Sequence, residues 1–583
     1  MVYSLADNII SPLGMTTQEN YQALKAGRSA LRRYEGALGV PEPFTASLFS
    51  EEQRRALSQE GLTRFEALAV ASIRGALSQT DIDVSQPRVV LILSTTKGNI
   101  ELLSAGIQTP SDISPATAAQ HIADAIGVST TPLVVCNACI SGVAAIVLAS
   151  RLLEGDFYDV AIVCGADVQN TFTVSGFQSL KAVSEDACKP FDLERTGLNL
   201  GEAAATLILC REAKSQDCWA IEAGAIRNDG FHISSPSKNG DGARAALQAI
   251  GAEAVADSLA FVNAHGTATM FNDQMESVAI AQSGLQAVPV NALKGFYGHT
   301  LGAAGLLETV ASMAAADDGT ILATRGFEEL GVSGKIQVSS ENYSTHKRRF
   351  IKMISGFGGG NAAILCERIA PGLTPSPSPV GEGSFVREGY GCAVQRIHHV
   401  CLTPEALTID GKTLEKGCQL TDLYKRYVGD YPKYYKMDGL SRLGFLASEL
   451  LLQAEGRREA EEATSDRAVI LFNHASSIDA DVKFQASIAD PDNFFASPSV
   501  FVYTLPNIVT GEIAIRNHYH GETSFYVLPA RDERQMQQVI AASFRDAATR
   551  SMITGWVDYV DEQHYEASLQ LISQQQEQLS NSL

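Results

Sequence analysis

Three residues with reactive side chains, Cys139, His265 and His299, stand in turns built largely of small residues. The turns read "NACISG", "NAHGTAT" and "KGFYGHTLGAAG", and Lys294 opens the last of them. A thiol can act as a nucleophile, and imidazoles and a lysine in glycine-rich turns suit a site that stabilises negative charge on a small carbonyl group. The order of the turns therefore predicts one active site around Cys139.

The element that follows Cys139 bears on its reactivity. The strand-like "TPLVVCNA" precedes it and the apolar helical pattern "ISGVAAIVLASRLLEG" follows it. A cysteine at such a turn lies near the positive end of the helix dipole, so we expect a lowered thiol pKa. Taken alone, this cysteine would as well be a buried structural residue, and either histidine a satisfied structural one.

A fourth turn, "SGFGGGNAAILC", is rich in glycine and leads into an apolar run. Its glycines allow positive φ and would expose backbone N–H groups as oxyanion donors, although a plain tight turn explains it as well. Short apolar runs such as "PRVVLILS", "YDVAIVCGAD", "ATLILC" and "LAFVNAHG" alternate with helix-like segments. Strands that are apolar on both faces are typical of sheets covered by helices, so an α/β layered domain is predicted.

Composition limits the classes of protein to consider. The chain has 583 residues, of which 45 % are hydrophobic and 19 % charged, and this length favours more than one domain. A net charge of −21 argues against a nucleic-acid partner. No signal peptide or membrane-spanning apolar stretch is evident, so we expect a cytoplasmic protein. Its ten cysteines have the spacing of neither a disulfide framework nor a zinc site, and no metal is expected.

The first 369 residues resemble a β-ketoacyl synthase of the thiolase superfamily, in its Cys-His-His class. The resemblance runs through "SPLGMTTQENYQALKAGRSAL", "KPFDLERTGLNLGEAAATLIL", "NAHGTATMFNDQMESVAI", "KGFYGHTLGAAGLLE" and "GFGGGNAA". It implies a thiolase-like αβαβα fold. It also implies an acyltransferase that condenses an acyl group with malonyl-acyl carrier protein, extending a fatty acid, polyene or polyketide chain by two carbons.

The resemblance implies a role for each matching residue. Cys139 would carry the acyl chain, and His265 and His299 would stabilise the enolate that forms as carbon dioxide leaves. Lys294 and Glu308 would form a supporting ion pair. The amides of Cys139 and Phe357 would form the oxyanion hole, with the Phe357 ring as a gate. No cofactor is implied, because the substrates arrive on the phosphopantetheine of acyl carrier protein.

Secondary features of the resemblance are less specific. Asp273 and Glu276 match the motif after the first histidine and are interpreted as structural. Arg64 and Arg195 stand in segments that resemble those with basic contacts to the carrier, although a solvated arginine is an equal alternative. The chain departs from the family's pattern at Asn137, at Ala203 and Gly360, and in its opening strand, which puts substrate choice in doubt.

The rest of the chain indicates an unusual second part. We predict a synthase domain at 1–369, a linker at 370–392, a second domain at 393–570 and a tail at 571–583. The linker is based on the Pro/Ser/Gly-rich stretch Ile369 to Gly389, and the Gln/Ser-rich tail is interpreted as a fraying helix. "LSRLGFLASELLL" echoes "LTRFEALAVASIRGAL", and "DRAVILFNHASS" echoes "PRVVLILSTTKG". No cysteine follows Cys418, so this domain resembles half of a thiolase fold without a nucleophile.

We expect the second domain to be noncatalytic, to dock on a condensing-enzyme surface of its own chain or of another subunit, and to limit the length of the acyl channel. His518 and His520 are interpreted as loop histidines rather than metal ligands. The partners implied are acyl carrier protein and a second subunit, in a homodimer or heterodimer. The alternative function is a noncatalytic subunit that binds the carrier or controls chain length, with Cys139 incidental.

Overall fold

The fold is described from a computed structural model of the chain. The structure describes residues 1–104, 106, 110–213, 217–369, 394–417, 419–456 and 463–574. The predicted linker 370–392 and residues 575–583 of the predicted tail lie outside these ranges, as does Cys418. Within the described ranges, the helices are too short or too polar to traverse a lipid bilayer.

The first domain contains sixteen strands and eleven α-helices among the described residues. The strands are β1 (Val2–Ile10), β2 (Arg32–Tyr34), β3 (Phe44–Ser47), β4 (Val89–Ser94), β5 (Leu133–Val135), β6 (Val160–Asp167), β7 (Leu200–Gly201), β8 (Ala203–Cys210), β9 (Cys218–Asn228), β10 (Leu259–Asn263), β11 (Pro289–Asn291), β12 (Thr320–Ile321), β13 (Gln337–Val338), β14 (Tyr343–Ser344), β15 (Arg349–Gly356) and β16 (Gly360–Ile369). The helices are α1 (Thr17–Lys25), α2 (Glu51–Leu57), α3 (Arg64–Leu77), α4 (Pro110–Ile113), α5 (Pro115–Ile126), α6 (Ser141–Glu154), α7 (Thr171–Ser179), α8 (Asp241–Ala249), α9 (Met270–Gln282), α10 (Lys294–Tyr297) and α11 (Ala304–Asp317).

Two similar groups of strands form the frame of this domain. The first runs in the order β5-β4-β6-β8-β1 and the second in the order β11-β10-β15-β16-β9, joined by pairing of β1 with β9. Helices α6 and α11 are buried almost all round, as expected of helices packed between two sheet layers. Gly142 allows this packing, because a side chain there would lie 2.6 Å from the Leu306 nitrogen. The layered α/β fold predicted from the apolar runs is confirmed.

The second domain, residues 394–574, contains seven strands and six α-helices among the described residues. They are β17 (Val394–Leu402), β18 (Ala406–Ile409), β19 (Lys412–Lys416), α12 (Leu420–Tyr427), α13 (Gly439–Ala454), β20 (Arg467–Asn473), α14 (Ile478–Ile488), α15 (Pro498–Tyr503), α16 (Ile508–Asn517), β21 (Thr523–Val527), α17 (Glu533–Ser543), β22 (Ser551–Asp561) and β23 (His564–Gln574).

The second domain repeats the topology of the first half of the first domain. Its strands run in the order β21-β20-β22-β23-β17, and each parallel or antiparallel pairing matches its counterpart in β5-β4-β6-β8-β1. The quoted sequence echoes fall on equivalent elements, since β20 corresponds to β4 and α13 to α3. The predicted partial duplication of a thiolase fold is confirmed.

The two domains share one sheet. Strand β21 pairs antiparallel with β5, with Tyr526 opposite Val135 and Val527 opposite Val134. The second domain therefore docks on the first domain of its own chain, as one of the two expected arrangements. Since β21 takes the free edge of β5, the predicted association with another subunit would have to use a different surface.

Buried ion pairs also cross the interface between the domains. Arg151 contacts Glu522 at 2.6 Å and Asp546 at 3.3 Å, and Lys97 contacts Asp481 at 2.6 Å. All five side chains are less than one-tenth exposed. Removing either partner of such a pair leaves an uncompensated buried charge, so these contacts favour permanent association of the domains.

The start of the predicted tail is a strand rather than a helix. Strand β23 extends to Gln574, so residues 571–574 belong to the sheet and not to the tail that was predicted to begin at 571. Leu571 lies opposite Ile553 of β22, and Ile572 lies opposite Met552. Both side chains are buried, and this tertiary packing outweighs the polar composition of the sequence that follows.

Candidate active site

The nucleophile turn joins β5 to α6. Cys139 lies in a single 3₁₀ turn, Ala138–Ile140, and is 8 % exposed. Ala138 has a φ of 48°, a left-handed conformation that is uncommon for a residue with a Cβ atom. The Asn137 N–H donates to the Ser141 hydroxyl at 2.8 Å, and that hydroxyl donates to the Ala138 carbonyl at 2.6 Å. These bonds fix the turn that presents Cys139.

The three residues singled out in the sequence meet in one place. The Cys139 sulfur and one ring nitrogen of each of His265 and His299 all lie within 4.8 Å of one another. The two imidazole rings are nearly perpendicular, with centroids 5.0 Å apart. Nδ1 of His265 and Nε2 of His299 are buried without a hydrogen-bond partner within the described part of the chain. The site thus holds a thiol beside two imidazole rings, each with one nitrogen close to the sulfur.

The expected lowering of the Cys139 pKa is wrong. Burial raises the pKa of the Cys139 thiol to about 12, and this effect outweighs the nearby Lys294 charge. The backbone N–H groups of Cys139 and Phe357 also favour the thiolate, but less strongly. The helix dipole favours the thiolate, but desolvation of the sulfur has the opposite effect and depends on tertiary packing that has no local sequence signal.

Those two N–H groups are the pair expected to form an oxyanion hole. Phe357 lies between β15 and β16, where Gly358 adopts a φ of 87° and lets the chain turn past the sulfur. The Gly358 N–H donates to the Ile233 carbonyl at 2.7 Å, which anchors the turn. Because both amides face the Cys139 sulfur, an oxyanion formed on a carbon attached to that sulfur would lie close to them.

Two carboxylates hold the turn that carries His265. Glu276 accepts the N–H groups of His265 and Gly266, each at 2.7 Å. Asp273 accepts those of Thr267 and Ala268 at 2.9 and 3.1 Å. Both carboxylates act on the backbone of the turn, in keeping with the structural interpretation of these residues.

Two lysines, rather than the one singled out in the sequence, bind Glu308. Lys294 Nζ lies 2.8 Å from Glu308 Oε1 and donates to the His265 carbonyl at 2.7 Å. Lys352 makes a close ion pair with Glu308 Oε2 and donates to the Ala264 carbonyl at 3.2 Å. Sequence reasoning missed Lys352, because a lysine inside the apolar strand "RFIKMISG" lies far along the chain from the histidine turns. Its only signal is a charge in a buried strand.

The electrostatic environment keeps both imidazoles neutral. Burial lowers the pKa of His265 and of His299 well below the usual value, and Lys294 and Lys352 lower it further. The Leu301 N–H donates to Nδ1 of His299 at 3.2 Å, so the proton of this ring lies on Nε2. A thiol and two imidazoles are also zinc ligands, but two ammonium groups beside them would repel a cation.

Both arginines considered for carrier docking have charged or carbonyl partners within the chain. Arg64 contacts Glu101 at 3.0 Å and Glu202 at 3.4 Å. The Arg195 side chain is buried and donates to the Asp192 and Gly331 carbonyls at 2.9 and 2.7 Å. Their docking role stays a prediction, and neither placement favours it.

Asn137, a departure from the family's pattern, has a structural partner in the second domain. Its Oδ1 accepts the Phe525 N–H at 2.7 Å, and the Cys136 N–H donates to the Phe525 carbonyl at 3.0 Å. The nucleophile turn is therefore bonded directly to β21. At Gly360, another departure, an added Cβ would lie 2.9 Å from Ile140.

The second domain has an arginine where the first has its nucleophile. Val135 pairs with Ser94 four residues before Cys139, and Val527 pairs with Asn473 four residues before Arg531. Arg531 forms ion pairs with Glu533 and Glu566 at 2.8 and 2.6 Å. In the predicted loop, His518 ends α16 in a left-handed conformation, and His520 contacts the Asn228 carbonyl at 3.1 Å.

Comparisons with known proteins agree with this architecture. Sequence models of the beta-ketoacyl synthase N-terminal and C-terminal domains match residues 5–215 and 219–328, more than half of the chain together. The chain is 30 % identical to Nodulation protein E of Rhizobium leguminosarum bv. trifolii over 291 residues, 48 % of this chain and 70 % of that protein. It is 25 % identical to 3-oxoacyl-[acyl-carrier-protein] synthase 2 of Vibrio cholerae over 404 residues, 62 % of this chain and 97 % of that protein.

A solved structure described as a PfaC keto synthase-chain length factor resembles almost the whole chain. The TM-score is 0.73 at 14 % identity, covering 98 % of this chain and 78 % of the other. At this identity the likeness concerns the fold, and it includes the second domain. The chain belongs to the β-ketoacyl synthase family and is a condensing enzyme of the acyltransferase class, as the sequence motifs predicted.

Proposed function

We propose that the chain extends an acyl group bound to Cys139 by decarboxylative condensation with a malonyl thioester. The observation that carries the proposal is the meeting of the Cys139 sulfur with two neutral imidazoles within 4.8 Å. In the first half-reaction the sulfur attacks the acyl-carrier thioester. The acyl group moves to Cys139, and the carrier thiol leaves with the proton that Cys139 gives up.

In the second half-reaction the malonyl thioester loses carbon dioxide. The electron pair of the broken C–C bond stays on the substrate as an enolate, whose oxygen accepts hydrogen bonds from His265 and His299. The enolate carbon attacks the acyl carbonyl, and the resulting oxyanion is held by the amides of Cys139 and Phe357. The thiolate then leaves and takes up a proton from solvent, and a 3-oxoacyl chain two carbons longer remains on the carrier.

The test is incubation with an acyl-carrier thioester and then malonyl carrier, followed by mass spectrometry of the protein and the carrier. Acylation of Cys139 and release of a 3-oxoacyl carrier are expected, and both should vanish in Cys139→Ala. A wild-type protein that binds the carrier but stays unacylated would instead support the noncatalytic alternative.

We also propose that the second domain closes the acyl channel. Phe357 stacks on Phe177 with ring centroids 6.2 Å apart, and Phe177 meets Phe501 of α15 edge to face at 5.3 Å. Phe501 in turn lies 5.2 Å from Phe484 of α14. At Gly176 a side chain would lie 2.0 Å from the Phe501 ring, so the contact between domains is close. These packed rings would set the predicted limit on the length of the acyl chain.

Shortening Phe501 tests this role. Phe501→Leu should lengthen the product, and Phe501→Ala more so, although the larger cavity costs about 3–5 kcal/mol of stability. Phe495→Ala is a matched control, because that ring is 71 % exposed. An unchanged product length in a folded, active Phe501→Leu variant would reject the role.

For the carrier we propose a docking surface formed by both domains. Lys433, Tyr435 and Lys436 are exposed just before α13, and Phe231 is exposed on the loop that Ile233 anchors to Gly358. Lys433 is near enough to that loop to add to the burial that lowers the pKa of His232. On a chain of net charge −21, a local group of lysines beside the active-site loop suits an acidic carrier.

The charge-reversed variant Lys433→Glu/Lys436→Glu tests docking. We expect KM for the acyl carrier to rise about tenfold, with a weaker salt dependence, because charges at an interface rim mainly set the rate of association. Turnover of a small acyl thioester without a carrier should not change. Lys412→Glu/Lys416→Glu, on β19 of the same domain, is the control, and an equal effect in both variants would refute the assignment.

A further inference from the structure

Lys352 is a buried cation that the proposed mechanism does not use. It lies on β15 next to the end of β10, where it pairs with Asn263 across the parallel strands. Its side chain is fully buried and points toward the histidine turn that follows β10, where it bonds to the Ala264 carbonyl. Burying an ammonium group costs several kcal/mol unless it is compensated, so its partners decide what it does.

Those partners tie Lys352 to the two histidines. Glu308 receives one lysine on each carboxylate oxygen, and the two lysines bind the carbonyls of the consecutive residues Ala264 and His265. Through these two lysines, Glu308 therefore holds the peptide groups before and after His265 in place. Lys294 binds the His265 carbonyl and Glu276 binds the His265 N–H, so the bond from Lys352 to the Ala264 carbonyl adds a further point that sets the orientation of this turn.

The charges in this cluster do not cancel. Two ammonium groups share one carboxylate. A further acid that acts on Lys352, Glu276, has a pKa raised to about 7 by burial and by Asp273. Burial lowers the pKa of Lys352 itself to about 8, while Glu308 opposes that change. Lys294 and Lys352 both act on His265 and His299, and Lys294 also acts on the Cys139 thiol.

We infer that Lys352 is a positioning residue for the decarboxylation half-reaction, in which it fixes the His265 turn and adds positive charge behind the two enolate-binding imidazoles. This rests on the proposed function. It assigns Lys294 to both half-reactions and Lys352 to one. The two lysines bound to Glu308 would then differ in the half-reactions that they support.

The experiment compares Lys352→Met with Lys294→Met in the full chain, and measures the two half-reactions separately. Acyl transfer is followed as the burst of acylated Cys139, and decarboxylation as carbon dioxide released from malonyl carrier. In Lys352→Met we expect decarboxylation to slow roughly tenfold or more in kcat, with the acyl burst and the KM for malonyl carrier unchanged. In Lys294→Met both half-reactions should slow.

The control is Lys347→Met, an exposed lysine just before the same strand, which should leave both rates unchanged. An intact burst in Lys352→Met also shows that the variant is folded, since Glu308 keeps Lys294 as a partner. Equal loss of both half-reactions, or no loss in either, would overturn the inference. If the wild-type chain neither becomes acylated nor releases carbon dioxide, the proposed function fails instead.

Discussion

The ion pair between Lys97 and Asp481 gives the sharpest stability prediction, because it joins the domains and both side chains are nearly inaccessible to water. Lys97 is 5 % exposed and Asp481 6 %, and their charged atoms are 2.6 Å apart. Lys97 also donates to the Thr504 carbonyl and lies 5.2 Å from the centre of the Phe172 ring. Asp481→Ala would leave the Lys97 charge buried beside the Thr504 carbonyl and the Phe172 ring, without its anionic partner.

The pKa directions show which effect dominates in this pair. Burial lowers the pKa of Lys97 and raises that of Asp481, so desolvation exceeds mutual attraction on both sides. We therefore expect Asp481→Ala to destabilise the protein by about 3–5 kcal/mol, and Lys97→Met to do so by a similar amount. The double variant Lys97→Met/Asp481→Leu should lie within about 1–2 kcal/mol of the wild type, since apolar replacement of a buried pair is often neutral.

The two tryptophans provide the assay, because Trp219 belongs to the first domain and Trp556 to the second. Urea unfolding followed by fluorescence in single-tryptophan variants reports each domain separately. Lys483→Ala is the control, since Lys483 is 61 % exposed and its pair with Asp479 lies within one helix, so this pair should contribute less than about 1 kcal/mol. The reasoning would be refuted if Asp481→Ala stayed within about 1 kcal/mol of wild type, or if the double variant lost the sum of both single effects.

Three further results are expected. Asn137→Ala should lower the free energy of unfolding by about 1–3 kcal/mol and slow acylation, because the buried Phe525 N–H loses its acceptor. Equal stability and an equal burst rate in this variant and in the control variant Asn239→Ala would contradict this. Alkylation of Cys139 by iodoacetamide should accelerate about tenfold per pH unit from pH 7 to 9, since thiols react as thiolates and a pKa of about 12 keeps this one protonated there. An alkylation rate that reaches a plateau near neutral pH would argue against the buried thiol. Gly176→Ala should weaken the contact with Phe501 and lower stability, as seen by urea unfolding, whereas an unchanged midpoint would mean that the interface adjusts.

The sequence was sufficient for the parts of the site that lie in recognisable turns. Cys139, His265 and His299 were predicted to meet, and they do, because each turn follows a strand end and carries its own small residues. The half-fold at the carboxyl end was likewise visible in repeated apolar patterns. Such features are local, and local patterns survive in a single sequence.

What the sequence could not give depends on packing between distant segments. The burial that raises the pKa of Cys139 depends on packing against turns far along the chain, among them those of His265, His299 and Phe357. The pairing of Asn137 with Phe525 spans 388 residues and has no local signal. Lys352 looks like an anomaly in an apolar strand until Glu308 and the histidine turn are placed beside it. At the other end, Gln574 looks like part of a polar tail although it lies in the sheet.

The central claim is that Cys139 carries an acyl group which is then joined to a decarboxylated donor. The most direct measurement is a single turnover with isotopically labelled acyl carrier and malonyl carrier, quenched over time and read by mass spectrometry of the Cys139 peptide and of the carrier. The account predicts that label accumulates on Cys139 and then appears in a 3-oxoacyl carrier longer by two carbons. Label that reaches the product without ever residing on Cys139, or that never leaves the first carrier, would contradict it.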